Sequence, residues 1–190
     1  MPRYPTIVVN QFRIIGGEWR GRRLQFPDLA ELRPSPDRVR ETLFNWLAPV
    51  IDGARCLDLY CGSGALGLEA LSRGAAESVF VDKERDAIRM IDAHLDKLRC
   101  ARGRTVHAES VGFLRGPATP FDVVFLDPPF HRELLSPACA QLAAGGWVKP
   151  GGYVYLEAES ELKAPQLPDG WMLHRSAKAG RVGYHLATIA

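Results

Sequence analysis

The sequence predicts an α/β fold: a doubly wound, mostly parallel sheet with an antiparallel edge and a small N-terminal β-hairpin extension. Three observations carry this. Strand-like apolar runs alternate with helix-period segments from Cys56 onward, acids stand at the ends of several of those runs, and the tail from Trp171 carries two further strand-like runs around a turn. Helices on both faces of such a sheet bury the apolar runs and leave the C-terminal strand ends lining a cleft. With 190 residues, 46% of them hydrophobic, the chain suffices for one well-buried core and is short for two. The expected division is a basic extension over residues 1–34 and a main domain over residues 35–190.

Taken in order, Phe12 to Ile15 and Trp19 to Phe26 read as two strands joined near Gly16-Gly17. Arg13, Arg20, Arg22 and Arg23 decorate them. Arginines beside Trp19 and Phe26 offer phosphate forks and stacking faces for a nucleic acid, against the plainer reading of a ribbon with exposed charges. In LRPSPDRVRETLFNWLAPV, Ser35 is an N-cap, Pro36 a first-turn proline and Pro49 a terminator, while Val39, Leu43, Trp46 and Leu47 recur at helical spacing. Arg38 and Arg40, just inside that helix, are either surface charges or contacts to a substrate or cofactor.

CLDLYCGSGALGLE, from Cys56 to Glu69, is a strand, a glycine turn and a helix. Gly62-x-Gly64-x-x-Gly67 fits a dinucleotide fingerprint, an S-adenosylmethionine turn or a plain tight turn, and the spacing alone does not separate them. The alternation continues with a strand at 78–82, a helix from Glu84 to about Arg99 and a strand near 104–108. A short helix near 110–115, a strand at 121–126, a helix at 132–144 and a strand at 152–157 follow. The tail, Trp171 to Ile189, reads as a closing hairpin around AKAGRVG.

Asp82 ends its strand 18 residues after Gly64, the spacing at which a carboxylate accepts hydrogen bonds from ribose hydroxyls; the alternative is a cap for the segment beginning at Lys83. Glu109 and Ser110 follow the third strand, where an adenine amino group can be held, although a first-turn acid is equally ordinary there. Asp58 stands just before the turn, either oriented by its N–H groups or facing a cofactor. The discriminating stretch is Asp127-Pro128-Pro129-Phe130. Two prolines cannot donate ladder hydrogen bonds, so the strand stops and its carbonyls are fixed in direction. A carboxylate and a rigid carbonyl together accept from a planar NH2 group, and Phe130 adds a face for stacking on a base. Such an amine is a poor nucleophile whose lone pair two acceptors align. A dehydrogenase has no evident use for the motif.

Charge is unevenly placed. Residues 1–40 hold eight Lys/Arg against four Asp/Glu, and residues 171–190 hold three against none, so basic ends flank an acidic middle and suggest a polyanionic partner, against the commoner explanation of a solvated surface. Cys56, Cys61, Cys100 and Cys139 form no CxxC pair, which supports neither a zinc site nor a disulfide framework and fits a reducing cytoplasm. No run of about 18 apolar residues and no long apolar leader core appears, so a soluble protein with no membrane partner is expected.

RIIGGEWRGRRL, LRPSPDRVRETLFNWL, CLDLYCGSGALGLEALSRGA, FLDPPF and GRVGYHLA together resemble the S-adenosylmethionine-dependent N-methyltransferases whose fourth-strand motif reads (D/N)PP(F/Y). More narrowly they are similar to the bacterial guanine-N2 methyltransferases of 16S ribosomal RNA, from about Phe12 to the C-terminus. The resemblance implies a Rossmann-like class I methyltransferase domain with S-adenosylmethionine as cofactor and no metal. It implies that Asp58, Tyr60, Cys61, Gly62 and Gly64 surround the methionine part. Asp82 would hold the ribose and Glu109 with Ser110 the adenine, with Lys83 a further cofactor-binding residue. Asp127, Pro128, Pro129 and Phe130 would hold the target guanine. Here the third-strand order is Ala108-Glu109-Ser110, where the family often has Asp or Asn before a small residue, so the adenine contact departs from the pattern. The resemblance also makes the hairpin an RNA-binding extension, with Arg13, Arg20, Arg22, Arg23, Arg38 and Arg40 toward 16S RNA, free or within a small subunit. Two other readings stay open: a DNA-adenine or protein-glutamine N-methyltransferase using the same motif, and a non-catalytic RNA-binding module.

Overall fold

The computed structural model describes residues 10–26, 34–160 and 165–190. A seven-stranded sheet forms its centre, made of β3 (Arg55–Asp58), β4 (Glu77–Asp82), β5 (Gly103–His107), β6 (Phe121–Leu126), β7 (Val148–Glu159), β8 (Trp171–Ala179) and β9 (Val182–Ile189). Their order is β5-β4-β3-β6-β7-β9-β8, parallel from β5 to β7 and antiparallel at β7/β9 and β9/β8. The chain runs outward from β3 to β5 and then returns to β6 on the other side of β3. The order therefore reverses between β3 and β6, and a crevice opens beyond their C-terminal ends.

Helices cover both faces because the strands are apolar on both. Leu57, Val79, Val81, Val124 and Leu126 pack against α4 (Ser110–Leu114) and α5 (Leu135–Gly145). Cys56, Val123, Phe125 and Tyr155 pack against α1 (Asp37–Leu47), with α2 (Ala65–Ser72) alongside. Phe80 and Ile91 join α2 to α3 (Arg85–Lys97). Gly67 sits where α2 crosses β4, and a Cβ there would lie 2.3 Å from the Phe80 ring, so helix and sheet meet more closely than any other residue permits.

The amino-terminal strands are shorter than the sequence suggested: β1 (Asn10–Arg13) pairs antiparallel with β2 (Arg23–Phe26), and residues 14–22 form a long connection. Trp19, expected as an exposed stacking face, is buried in that connection at 5% exposure, and Phe26 is buried at 7%. Both pack with Phe12, Ile14 and Leu24 against Leu68, Leu71, Ile88 and Leu95, so the hairpin shares its core with α2 and α3. Gly17 makes the docking close. Its φ of +77° is left-handed, and a Cβ would fall 1.8 Å from the Ser72 carbonyl oxygen.

Polar groups lock the same junction. Glu69 on α2 is wholly buried, and its carboxylate accepts from the backbone N–H groups of Ile15 and Gly16, each at 2.8 Å, and from Arg73 Nε at 2.7 Å. Arg40 Nη1 stands 3.6 Å from the same carboxylate. Ser72 Oγ donates to the Gly16 carbonyl at 2.6 Å and accepts from the Trp19 N–H at 2.9 Å.

Two helix starts differ from expectation. Pro36 is the N-cap of α1 with no side-chain cap bond, and the Ser35 hydroxyl instead faces the carboxyl groups of Asp127 and Glu157. The fifth helix begins at Leu135 and not at 132, because His131 and Glu133 adopt positive φ values of 59° and 50°, which no α-helix accommodates. Strand β7 also starts earlier than expected, at Val148, with an irregular register where Phe121 and Val123 pair to it.

Removing a carboxylate that compensates a buried guanidinium strands that charge. Glu69→Ala is accordingly expected to lower the free energy of unfolding by about 3–5 kcal/mol, measured by urea denaturation. Glu69→Gln, which keeps an acceptor, should lose less, and equal losses would show that the charge of Glu69 is irrelevant.

Candidate active site

Three acids meet at the crevice. Asp58 ends β3, Asp82 ends β4 and Asp127 follows β6, and the parallel register sets Asp58 beside Phe125, two residues before Asp127. Each lies at the C-terminal end of its strand because the chain must turn there, and polar side chains serve the freed backbone groups.

Asp82 bridges two turns. One oxygen accepts from the Gly62 N–H at 2.8 Å and the other from the Glu84 N–H at 2.9 Å. The carboxylate thereby joins the glycine turn to the start of α3, and with about four lone-pair sites it keeps acceptor capacity toward the crevice. Gly62 and Gly64 have φ of +49° and +76°, and Gly64 caps α2. Asp58, 1% exposed, accepts from the Gly67 N–H at 3.0 Å and so pins the first turn of α2. Burial raises its carboxyl to about 7, the Gly67 N–H opposes the shift, and the Asp82 charge adds to it.

The remaining predicted cofactor residues take different places. Tyr60 is half-buried, Cys61 is buried and Lys83 is exposed beside Glu84. Ser110 is buried and its hydroxyl donates to the Leu59 carbonyl at 2.9 Å, which ties the end of β3 to α4, whereas Glu109 is exposed and makes no side-chain cap bond. The Asp58, Asp82 and Asp127 carboxyls, the bent Tyr60–Gly64 backbone and exposed Glu109 thus surround one crevice. A donor and acceptor set of this kind fits a nucleoside bearing a cationic centre, since acids stabilise positive charge and take hydroxyl and amino hydrogens.

Asp127 and Phe130 are half-exposed at the crevice, while Pro128 is buried. Asp127 Oδ2 lies 3.3 Å from Ser35 Oγ, which is 2.7 Å from Glu157 Oε2, and the Tyr155 hydroxyl donates to that same Glu157 oxygen at 2.9 Å. The sequence reading missed Glu157 and Tyr155. The available signal was an acid closing the apolar run YVYLE, the same pattern that marked Asp58, Asp82 and Asp127.

Of the predicted RNA-facing arginines, Arg20, Arg22, Arg23 and Arg38 are exposed, and Arg13 is half-exposed and paired with Asp37 at 3.1 Å. Arg40 departs from the expectation of a surface contact. It is 1% exposed and donates to the Ser35 carbonyl, the Arg13 carbonyl and the Asp37 carboxylate at 3.1, 2.9 and 2.6 Å, so it fastens the hairpin beside the crevice. Among the described residues no group of three or more His, Cys, Asp or Glu is placed to hold a metal, and no helix is long and apolar enough to cross a membrane.

The family described as Conserved hypothetical protein 95 matches residues 12–188. The chain is similar to ribosomal RNA small subunit methyltransferase D of Escherichia coli, with 48% identity over 93% of this chain and 89% of that protein. It is similar to the solved Escherichia coli yhhF structure, with a TM-score of 0.89 and 47% identity over 95% of this chain and 98% of that one. The fold also matches a Thermus thermophilus 16S rRNA N2 methyltransferase solved with AdoMet and guanosine: TM-score 0.68, 22% identity, 96% of this chain and 50% of that one.

The buried carboxyl of Asp58 gives stability a pH dependence. The unfolded chain releases this proton near about pH 4 and the folded chain near about 7, so between those values the folded state holds more protons and stability falls as pH rises. Asp58→Asn has no proton to lose. Urea unfolding should therefore find it close to wild type at about pH 4.5 and more stable by about pH 8. A variant weaker than wild type at the higher pH would contradict burial of a protonated acid.

Proposed function

The chain belongs to the Conserved hypothetical protein 95 family, together with ribosomal RNA small subunit methyltransferase D, and from that premise we propose that it methylates the exocyclic N2 of a guanine in 16S ribosomal RNA. The observation that carries the reading is the Asp127-Pro128-Pro129-Phe130 turn leaving β6 at the sheet reversal, beside Asp58 and Asp82. S-adenosylmethionine, when bound, supplies an electrophilic methyl carbon on a cationic sulfur that departs as a neutral thioether.

In this reading the Asp82 carboxylate accepts from the ribose hydroxyls with Lys83 adjoining. The turn from Tyr60 through Cys61 and Gly62 to Gly64 lies against the methionine part. Asp58 holds that turn in shape from beneath, since its carboxyl is buried against Gly67. Glu109 takes the adenine amino group, and Ser110 fixes the loop that carries Glu109 by its bond to Leu59.

At the target, the Asp127 carboxylate and a carbonyl of the Pro128-Pro129 turn accept the two hydrogens of the amine. Those bonds localise a lone pair otherwise spread into the base and aim it at the methyl carbon. The face of Phe130 left open to the crevice stacks on the base, which has been turned out of its helix or loop. Arg20, Arg22, Arg23 and Arg38, with Arg13 held by Asp37, meet the phosphates. Phosphate contacts fix orientation without reading sequence, so choice of guanine comes from the pocket and the RNA shape. A small ribosomal subunit or assembly intermediate is the proposed form of the substrate, and the cytoplasm its compartment.

The test is transfer of labelled methyl to small-subunit RNA from cells lacking the protein. Wild type should label one guanine. Asp127→Ala should lose the rate by orders of magnitude while calorimetry finds its S-adenosylmethionine affinity unchanged, and transfer at the parental rate would sink the assigned role.

The hairpin arginines give a second expected outcome. Arg20→Ala/Arg22→Ala should weaken RNA binding and flatten its salt dependence by up to about two units of slope, with cofactor binding untouched. An unchanged slope would move the RNA surface elsewhere, most plainly to the basic hairpin of β8 and β9 with Arg175, Lys178 and Arg181.

A further inference from the structure

Asp127 does not act on the crevice alone. Ser35, 5% exposed, stands between Asp127 and Glu157, which is itself 4% exposed. A serine hydroxyl carries one hydrogen. Placed 3.3 Å from one carboxyl oxygen and 2.7 Å from another, it donates to only one of them, and the shorter distance assigns it to Glu157. The single hydrogen of Tyr155 is spent on Glu157 as well. Asp127 Oδ2 then faces the Ser35 oxygen with no hydrogen between them unless Asp127 brings its own.

One proton on the pair makes every contact consistent. Asp127 donates to Ser35 and Ser35 to Glu157; or, with the hydrogens reversed, Glu157 donates to Ser35 and Ser35 to an ionised Asp127. The heavy atoms stay where they are. Among the described residues the charged groups acting on Asp127 are acids, Glu157 from β7 and Asp58 from β3, while Ser35 is the neutral donor from the segment before α1. Tyr155 on β7 acts on Glu157, Tyr184 on β9 acts on Tyr155, and the Arg40 guanidinium on α1 donates to the Ser35 carbonyl. Burial first, then the charge of Glu157, pushes the Asp127 carboxyl up, and burial pushes Glu157 up; the Ser35 hydroxyl opposes the shift of whichever carboxyl it donates to, and Tyr155 opposes that of Glu157.

We propose that Glu157 and Ser35 are positioning residues that set the charge of Asp127, the two carboxyl groups sharing one proton across the Ser35 hydroxyl. This rests on Asp127 as the acceptor for the target amine. A bound amine donates to Asp127 and so draws the shared proton onto Glu157, leaving Asp127 ionised. As the nitrogen–carbon bond forms and the sulfur–carbon bond breaks, the nitrogen becomes cationic and gives its surplus proton to Asp127. That proton then passes from Asp127 through the crevice to solvent, and the pair returns to one shared proton.

The readout is direct. Aspartate carboxyl carbons labelled with carbon-13 are titrated by NMR in the substrate-free protein, the Asp127 signal being identified by its loss in Asp127→Asn, and the pH profile of single-turnover methyl transfer is recorded alongside. Glu157→Gln removes a repelling charge, so the Asp127 midpoint and the acidic limb should both move to lower pH by about one unit. Ser35→Ala removes a donor to the ionised form, so both should move up, and Ser35→Thr should restore them. A merely structural role lowers the rate without moving limbs in opposite directions, and two positions with opposite signs keep the test decisive if one variant does not fold. Methyl transfer with unmoved midpoints overturns the shared proton. Midpoints that move as stated in a protein that methylates no RNA uphold the shared proton and sink the methyltransferase reading.

Discussion

Glu69 is the constraint on which the assembly depends. A carboxylate with no solvent must have its acceptor sites filled, and here the partners come from three separate pieces of chain: the backbone at Ile15 and Gly16, Arg40 on α1, and Arg73 at the end of α2. Satisfying one buried group therefore positions the hairpin, the first helix and the helix that follows the glycine turn relative to one another. Arg40 extends the chain of consequences. Its other donors hold the carbonyls of Arg13 and Ser35, so the residue that keeps Glu69 neutralised also keeps Ser35 against Asp127. A defect in docking the extension would reach the crevice by that route.

The crevice itself follows from topology. Because the strand order reverses between β3 and β6, their ends diverge, and the backbone there is served by side chains in place of neighbouring strands. Acids do this serving. Asp58 and Asp82 hold N–H groups of the glycine turn, of α2 and of the start of α3, and the Asp82 carboxylate also turns its charge toward the crevice. Asp82 thus meets a structural and an electrostatic duty together, which suits a cationic ligand, while burying Asp58 costs the protein some stability at high pH, as its raised carboxyl shows.

Local signals were legible in the sequence. The glycine turn, the acid at the end of β4 and the Pro-Pro stop each act within a few residues of themselves, so spacing and residue chemistry disclosed them. What depends on distant partners was not. Ser35 looked like a helix cap because serine before proline at a helix start usually is one, but its hydroxyl is taken by carboxyls 92 and 122 residues away. Trp19 looked like a stacking face, yet its apolar surface is worth more buried against α2 than exposed. Arg40 read as a surface charge for the same reason: nothing near it in sequence announces the buried Glu69.

Strand β7 explains why the chain closes with an antiparallel hairpin. Its far end supports the proposed target pocket from two sides, through Glu157 toward Ser35 and Asp127, and through Glu159, which accepts from the His131 backbone N–H and lies 3.2 Å from its Nδ1. The loop it holds there contains two non-glycine residues at positive φ, His131 and Glu133, conformations that cost about 1–3 kcal/mol each and persist only where surrounding contacts impose them. An edge strand would be a poor anchor for such a loop, since one side of its backbone would be unpaired. β6 pairs with β7 only as far as Leu156, so beyond it β9 supplies the pairing, running along β7 from Tyr153 to Glu159, and β8 then takes the exposed edge. The carboxyls that frame Asp127-Pro128-Pro129-Phe130 thus project from a stretch of β7 whose backbone is held by β9, and the C-terminal hairpin contributes to the site through its backbone pairing.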